Sequence, residues 1–297
     1  MHVWLVTVGE PLPTDQGNQR LHRTGVLANS LRSQGHKVTW WTSTFDHYHK
    51  AQRWDHDHMA VVDENYRLHI VHSPGYVKNV SIRRIVDHGA HARRVNKRML
   101  EETDYPDVIL CSLPTLELCR VAVDYGHGHG VPVILDIRDL WPDIFLDEVP
   151  EWTHWAARPV LLPMFRTATY VCSRATALTG ITSAFVDWGL AYAGRSRSDL
   201  DKDFPLGYSD HPLPLSAMSE ARQYWSTVGL DRPVELRVCF FGSLSRTMAE
   251  EMFTVIEAAR ELQVRGDNIQ FVVCGSGENL EAYRNAAQGC DNIVFPG

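Results

Sequence analysis

Short apolar segments alternate with stretches of helical periodicity along nearly the whole chain. The first segment, Val3–Val8, is almost continuously apolar and ends at a loop rich in glycine and proline. Similar segments follow at 37–43, 66–72, 107–111 and 131–137. Strands buried on both faces are continuously apolar, and helices between such strands imply crossover connections. The alternation therefore predicts an α/β fold with a mostly parallel sheet.

Proline and glycine concentrate at 204–234, and the alternation restarts after this segment. The length of 297 residues suggests about two domains. We predict a first domain at 1–203, a linker at 204–234 with one short helix, and a second domain at 235–297. Three strands and two helices in the second domain would leave a sheet edge and one face uncovered. We therefore expect either a partner chain that covers them or a longer natural sequence.

The composition is that of an ordinary globular protein. The chain is 44% hydrophobic and 22% charged, and these fractions exclude a disordered chain. Its net charge of −7 gives no general attraction for nucleic acid. Its six cysteines are scattered without a CxxC pair, as in a reduced protein. The N-terminus has no basic leader, and no long apolar segment is present. These features predict a cytoplasmic protein.

Glycine-containing loops follow three predicted strands, at 9–23, 242–246 and 274–278. Ligands of parallel sheets bind beyond the carboxyl ends of the strands, where glycine allows close approach and a helix N-terminus attracts an anion. Each loop is therefore either a phosphate-binding site or an ordinary turn into a helix. The residues that would approach a diphosphate are Gly17, Gly242, Ser243, Arg246, Gly275 and Gly277.

Charged residues cluster at the end of the predicted strand 131–137. Asp136, Arg138 and Asp139 leave this buried segment together. Charges at the carboxyl end of a strand are well placed to bind a ligand. The alternative is an ion pair of Arg138 that fixes the loop.

Basic residues mark the predicted helix 81–101, among them Arg83 and Arg84. They face either a phosphate, a membrane surface or only solvent. The apolar stretch 152–170 either contacts lipid or packs beneath the first domain. Histidines and aspartates at 47–58 are metal ligands by type, but they form no four-ligand set, so we expect a solvated loop and no metal.

Several of these segments together resemble the group 1 glycosyltransferases, which are retaining enzymes of the GT-B architecture, in particular the bacterial capsule and surface-polysaccharide members. The resemblance covers nearly the whole chain. It is carried by the loop 17–20 with LANSLRSQGHKVTWWTS (27–43), NVSIRRI (79–85), YPDVILCSLPTLELC (105–119), VPVILDIRDLWPDIF (131–145), FPLGY (204–208), FFGSLSR (240–246) and FVVCGSGENLEAYR (271–284).

The resemblance implies two Rossmann-like domains. The N-terminal domain would bind the acceptor, often a lipid-linked sugar, and the C-terminal domain a nucleotide-diphosphate sugar, without an obligatory metal or other cofactor. It implies catalytic roles for Asp139 and Arg138, and donor contacts from the glycine-loop residues named above. On the acceptor side it implies Arg20, Arg83 and Arg84, with a peripheral position on the cytosolic face of the inner membrane.

Three features depart from the family pattern. Many members have a histidine where this chain has Arg138, and a second basic residue expected at 247–253 is absent. A pair of glutamates that binds ribose and the donor sugar would lie beyond Gly297. We therefore expect the second Rossmann-like domain to be truncated after about three strands and the activity of this 297-residue chain to be impaired.

Two other functions remain as alternatives. The chain is either a transferase or a non-catalytic acceptor-binding or anchoring subunit that a partner chain completes. A nicotinamide-dependent reductase is disfavoured, because no GxGxxG motif follows the first strand and the second strand ends at Thr42-Ser43 without an acidic residue.

Overall fold

A computed structural model describes residues 1–16, 20–79, 81–147, 149–207, 215–245 and 249–297. The chain forms two compact units, Met1–Ser209 and Asp210–Gly297. The division between them falls inside the segment predicted as a linker.

The first unit contains ten strands within the described residues. They are β1 (His2–Val6), β2 (Lys37–Ser43), β3 (Phe45–Asp46), β4 (Ala51–Gln52), β5 (His58–Asp63), β6 (Tyr66–Val71), β7 (Val108–Ser112), β8 (Val133–Ile137), β9 (Ala177–Gly180) and β10 (Lys202–Asp203). Its helices are α1 (Arg23–Ser33), α2 (Ile82–Glu101), α3 (Leu116–His129), α4 (Ile144–Asp147), α5 (His154–Arg174) and α6 (Ser183–Ala193), with a 3₁₀ turn at Glu151–Thr153.

Eight of the described strands form one sheet in the order β10-β9-β8-β7-β1-β2-β6-β5. Neighbouring strands are parallel, except that β5 runs antiparallel to β6. The strand order reverses between β1 and β7, so that the chain leaves these neighbouring strands in opposite directions. Such a switch point opens a crevice at the carboxyl ends of the strands, which is where doubly wound sheets bind ligands.

The alternation of side chains along β1 builds a core on each face of this sheet. Trp4 and Val6 pack with α2, α3 and α5 on one face, whereas Val3 and Leu5 pack with α1 on the other. Both faces are therefore apolar, which explains the continuous apolar pattern of the sequence. The predicted α/β class is confirmed.

Most predicted elements of the first unit occur close to their expected positions. The strand predicted at 37–43 is β2, and the helix predicted at 81–101 is α2. Strand β5 was not predicted, because it lies at the edge of the sheet and its residues are half exposed. Four of its six residues, Met59–Val62, are apolar, but this run is shorter than those of the central strands and follows the polar stretch 47–58.

The second unit contains three parallel strands among its described residues, in the order β11-β12-β13. The elements are α7 (Leu215–Thr227), β11 (Leu236–Phe241), α8 (Ala249–Arg265), β12 (Ile269–Cys274), α9 (Leu280–Ala286) and β13 (Ile293–Val294). Met252, Ile256 and Phe271 form part of its core. Strand β11 stays at the edge with Leu236, Val238 and Phe241 exposed, as the sequence predicts.

Candidate functional site

Two adjoining cavities lie at the carboxyl edge of the first unit's sheet, next to the switch point. Val8, Pro114 and Thr115 line both of them. The histidine lobe has a volume of about 220 Å³, and its other lining residues are Gly9, Ser43, Phe45, His47, Tyr76, Arg84, Asp87, His88 and His91. The arginine lobe has a volume of about 460 Å³, and its other lining residues are Thr7, Glu10, Arg20, Leu21, His22, Arg23, Ser112, Leu113, Arg138, Asp139, Leu206 and Gly207.

A buried aspartate organises the arginine lobe. Asp136, at the end of β8, accepts two hydrogen bonds from Arg23, at 2.9 Å from Nε and 3.0 Å from Nη2. Arg138 Nε donates a third at 2.6 Å, and Thr179 Oγ1 a fourth at 2.9 Å. Burial opposes ionisation, but the two guanidinium groups hold the pKa of Asp136 below its usual value. Asp136 is therefore a fixed anion that locks both arginines.

Glu10 occupies the N-terminus of α1. Its carboxylate accepts hydrogen bonds from the Thr24 amide at 3.0 Å and the Thr24 hydroxyl at 2.7 Å. Arg138 pairs with the same carboxylate and donates to Thr24 Oγ1 at 3.0 Å. The anion that this helix end attracts is thus a side chain of the protein itself. The geometry shows the ion-pair alternative for Arg138, and its catalytic role remains a prediction.

Asp139 lies beside this network, on the wall of the arginine lobe. Its Oδ1 accepts a hydrogen bond from the Leu140 amide at 2.9 Å, and burial raises the pKa of the carboxyl. Among the described residues no arginine or lysine forms an ion pair with Asp139. A carboxyl group in this state can accept or donate a hydrogen bond to a sugar hydroxyl.

Three histidines define the other lobe. Burial lowers the pKa of His47 to about 4, of His88 to about 3 and of His91 to about 4, so all three rings are neutral at pH 7. His47 Nδ1 is 2.7 Å from the hydroxyl of Tyr76. Within the described residues neither ring nitrogen of His91 has a well-formed hydrogen bond. A weak interaction with the His72 backbone raises the pKa of His91, but burial lowers it by more.

Arg84 supplies the cation of the histidine lobe. Its guanidinium lies over the rings of Trp141 and Tyr76, 4.5 Å and 5.5 Å from the centroids. It also donates to the carbonyl of Asn79 at 3.0 Å and, more weakly, to His88 at 3.4 Å. In the part of the chain that the structure describes, no carboxylate lies within ion-pair distance of Arg84. The lobe can therefore bind an anionic or hydroxyl-rich ligand.

Sequence reasoning missed Tyr76, Asp87, His88 and His91. A signal for two of them exists on α2, because His88 and His91 continue at helical spacing the buried stripe of residues 92, 95 and 99. Among the described residues, no three histidine, cysteine, aspartate or glutamate side chains are grouped so that they could hold a metal ion.

The predicted basic residues separate in the structure. Arg84 lines the histidine lobe and exposed Arg20 lines the arginine lobe, whereas Arg83 is exposed on α2 and lines neither. Gly17 and Arg246, both predicted to contact a diphosphate, lie outside the described residues.

The two predicted glycine loops of the second unit pack against each other at the carboxyl ends of β11 and β12. The Gly242 amide donates to the Cys274 carbonyl at 3.1 Å, and the Leu244 amide to the Ser276 carbonyl at 2.9 Å. A Cβ atom at Gly275 or Gly277 would collide with the backbone of the facing loop. Both glycines are therefore required for this close approach. Gly242 and Ser243 remain exposed at the loop surface.

Among the described residues, no helix is both long and apolar enough to span a membrane. The chain matches no protein-family model. It also has no significant match among curated proteins.

Solved structures nevertheless resemble the chain over 99% of its length. A UDP-forming α,α-trehalose-phosphate synthase from Burkholderia vietnamiensis aligns with a TM-score of 0.58 at 11% identity, over 72% of that chain. Apo OtsA aligns with a TM-score of 0.60 at 11% identity, over 72% of that chain. Anabaena HepE in complex with UDP and glucose aligns with a TM-score of 0.54 at 12% identity, over 68% of that chain.

The alignments and the strand order within each unit indicate one and the same fold type. The chain has an α/β fold of the GT-B glycosyltransferase type, with two Rossmann-like units of which the second contains three strands within its described residues.

Proposed function

We propose that the chain is a glycosyltransferase that takes a sugar from a nucleotide-diphosphate sugar and transfers it to a glycan or lipid-linked acceptor. The observation that carries this proposal is the crevice at the switch point of the first unit, with Arg84 and Asp139 on its walls. The fold supports it, since one structure of HepE contains UDP-glucose and the similar trehalose-phosphate synthase is UDP-forming.

The donor site in this proposal lies on the two packed loops of the second unit. Gly242, Ser243, Gly275 and Gly277 lie in loops at the carboxyl ends of β11 and β12, the edge at which parallel sheets bind ligands. The amide of Gly242 holds the facing loop, so we propose that this residue contributes close backbone approach to a diphosphate. Gly17 and Arg246 complete the proposed set. Stabilisation of negative charge on the leaving phosphate would be the main catalytic contribution. We propose a retaining transfer of a hexosyl group that requires no metal.

The acceptor side lies in the crevice of the first unit. We propose that Asp139 binds a hydroxyl of the reacting sugar, with Arg138 holding the loop, and that Arg20, Arg83 and Arg84 attract an anionic acceptor such as a surface-polysaccharide precursor. Exposed Trp152 and Trp155 near the start of α5 support a peripheral contact with the cytosolic face of the inner membrane.

The proposal is tested by titrating the full chain with UDP, UDP-glucose and other nucleotide sugars in a calorimeter, followed by an assay for released nucleotide diphosphate. We expect saturable binding of at least one donor. The variant Gly277→Val should abolish it, because the side chain would separate the two loops, whereas Arg84→Gln should leave donor affinity unchanged. Absence of binding by the folded chain to every nucleotide sugar would contradict the proposal.

A second candidate is a non-catalytic acceptor-binding subunit that another chain completes. The exposed apolar side chains of β11 favour it, because Phe241 is 70% exposed at an unpaired strand edge. Such a subunit would bind acceptor analogues and release no nucleotide diphosphate from any donor. Turnover by the purified chain alone would exclude it.

A further inference from the structure

The histidine lobe contains buried hydrogen-bonding groups that the described residues leave unused. His91 lines the lobe and is 2% exposed, and in the part of the chain that the structure describes neither of its ring nitrogens has a well-formed hydrogen bond. His88 lines the same cavity one turn earlier on α2 and is 5% exposed. An unpaired polar group in a buried site costs free energy unless a partner binds it. The two rings therefore indicate a polar ligand in this cavity of about 220 Å³.

Arg84 and His88 form the charged part of the lobe. Arg84 Nε lies 3.4 Å from His88 Nε2, so this ring nitrogen carries the lone pair and not a hydrogen. If His88 Nε2 gained a proton, both side chains would donate hydrogen bonds to one anion, because a guanidinium and an imidazolium are donors. The anion would replace the weak contact between the two side chains.

Glu117 supports a proton on His88 from the opposite side of the ring. Its carboxylate Oε2 lies 4.0 Å from His88 Nδ1. A protonated ring carries hydrogen on both nitrogens, so Nδ1 would face Glu117 while Nε2 faces the anion. Burial, and secondly the positive charge of Arg84, lower the pKa of His88 to about 3. An anion beside Arg84 would oppose both causes, since it offsets the positive charge and pairs with the buried imidazolium.

The elements packed around the lobe contribute further titratable groups. Those that face His88 or line the lobe beside it are Arg84, Asp87 and His91 of α2, His47 of the loop after β3, Tyr76 of the loop after β6 and Glu117 of α3. Those that act on His91 are Asp57, which pairs with Arg98, and Arg94, His72 and His88. Asp87 accepts the Gly75 amide at 2.6 Å, and His47 pairs with the hydroxyl of Tyr76 at 2.7 Å. These contacts leave Arg84 and His88 as the pair that responds most directly to an anion.

We propose that the histidine lobe binds a tetrahedral oxyanion, such as a phosphate group, together with one proton that His88 takes up. The anion contacts Arg84 and the Nε2–H of His88, and His91 supplies a neutral donor deeper in the lobe. The proton comes from the solvent and adds to the lone pair of Nε2, and no other covalent bond forms or breaks. The inference rests on the proposed function, in which Arg84 attracts an anionic acceptor, and adds that acidity regulates this site.

Binding of the anion and binding of the proton are reciprocally linked. An anion that raises the pKa of His88 makes the complex hold more protons than the protein alone, so affinity must rise as the pH falls. The rise reaches about tenfold for each unit of pH where the pH lies between the pKa values of the two states. Arg84 by itself stays charged throughout and would give an affinity independent of pH.

The test titrates the full chain with sulfate in a calorimeter at several values between about pH 5.5 and 7.5. Sulfate presents tetrahedral oxygens and keeps its double charge in this range, whereas a phosphate group itself titrates there. Measurements in buffers of different ionisation enthalpy give the number of protons taken up with each sulfate. We expect saturable binding that tightens by up to about tenfold for each unit of falling pH, with an uptake that approaches one proton.

Three variants assign the proton and the anion contact. His88→Gln keeps a polar side chain that cannot take up a proton, so it should abolish both the proton uptake and the pH dependence. Arg84→Gln should weaken sulfate binding about tenfold or more at every pH. His58→Gln is the matched control and should change neither quantity, because this histidine lines a different cavity. Proton uptake is measured on the unaltered chain, so poor folding of a variant would not remove the test.

Sulfate binding without proton uptake would overturn the proposal, as would the absence of saturable binding throughout this pH range. Undiminished uptake in His88→Gln would overturn it as well, since another group would then take the proton. Galactose 6-sulfate distinguishes the sources of the anion. If proton uptake accompanies both probes, tighter binding of the ester supports a group carried by a sugar, and tighter binding of sulfate supports a free ion in the same site. No arm uses a nucleotide sugar or turnover, so failure here is distinguishable from failure of the transferase proposal.

Discussion

The two lobes of the crevice handle their charges in opposite ways. In the arginine lobe, Arg23 and Arg138 are neutralised by Asp136 and Glu10. In the histidine lobe, the cation Arg84 has no carboxylate at ion-pair distance among the described residues. Arg84 is half-buried and donates to the Asn79 carbonyl, and a guanidinium has five N–H donors, so it can also bind an anionic ligand. The comparison indicates that Arg23 and Arg138 of the arginine lobe form a structural lock, whereas Arg84 of the histidine lobe is open to a ligand.

The largest expected effect comes from breaking the lock. Asp136→Ala would leave two guanidinium groups without their shared counter-charge in a buried site, which should lower the free energy of unfolding by about 3–5 kcal/mol. Urea denaturation of the variant measures this loss. Asp55→Ala, at an exposed ion pair, should have no measurable effect. A similarly small change in both variants would show that the network does not hold the lobe.

The histidine lobe should make stability sensitive to acid. His91 has a native pKa of about 4 and an ordinary value near 6.5, so the unfolded chain binds a proton more readily. Stability is therefore fully present above about pH 6.5 and declines as the pH falls toward 4. At pH 5, protonation of His91 in the unfolded chain lowers the free energy of unfolding by about 2 kcal/mol relative to neutral pH. Urea titrations measure the loss of stability between pH 7 and pH 5. This loss should be about 2 kcal/mol smaller in His91→Leu than in the wild type. An equal loss in both would show that His91 does not cause the acid sensitivity.

Among the residues of the two lobes, the smallest effect on stability is expected at Arg84. Arg84→Gln removes contacts with two aromatic rings and a half-exposed hydrogen bond to the Asn79 carbonyl, but no ion pair, so the free energy of unfolding should fall by about 1 kcal/mol. The same variant should reduce the binding free energy of phosphate-bearing ligands by more than it reduces the free energy of unfolding. The comparison of the lobes would fail if Arg84→Gln destabilised the chain as strongly as Asp136→Ala.

The sequence predicts the central strands of both units well, because burial on both faces leaves a continuous apolar pattern. Strands β2 and β12 occur at the predicted residues 37–43 and 269–274. The edge strand β5 escapes prediction, since its apolar run of four residues is short and two of them, Met59 and Val61, are exposed at the sheet edge. The first domain, the linker and the second domain are predicted from composition, whereas the pairing of strands depends on contacts that no local pattern records.

The candidate site was only partly predictable. The charged cluster after β8 indicated the correct edge of the sheet and contains Asp136, one partner of Arg138. Its other partner, Glu10, lies 128 residues earlier in the chain. Such a contact follows from the strand order rather than from any local motif. His88 and His91 were hidden because the many arginines of α2 suggested a solvated helix. Only the fold shows which face of α2 borders the crevice.

The central claim is that Arg84 is available to a ligand while Arg138 is not. The most direct measurement follows the side-chain Nε–H signals of assigned arginines by NMR during a titration with inorganic phosphate. The account predicts a saturable shift of the Arg84 signal and an unchanged Arg138 signal. A saturable shift at Arg138 with no response at Arg84 would contradict it.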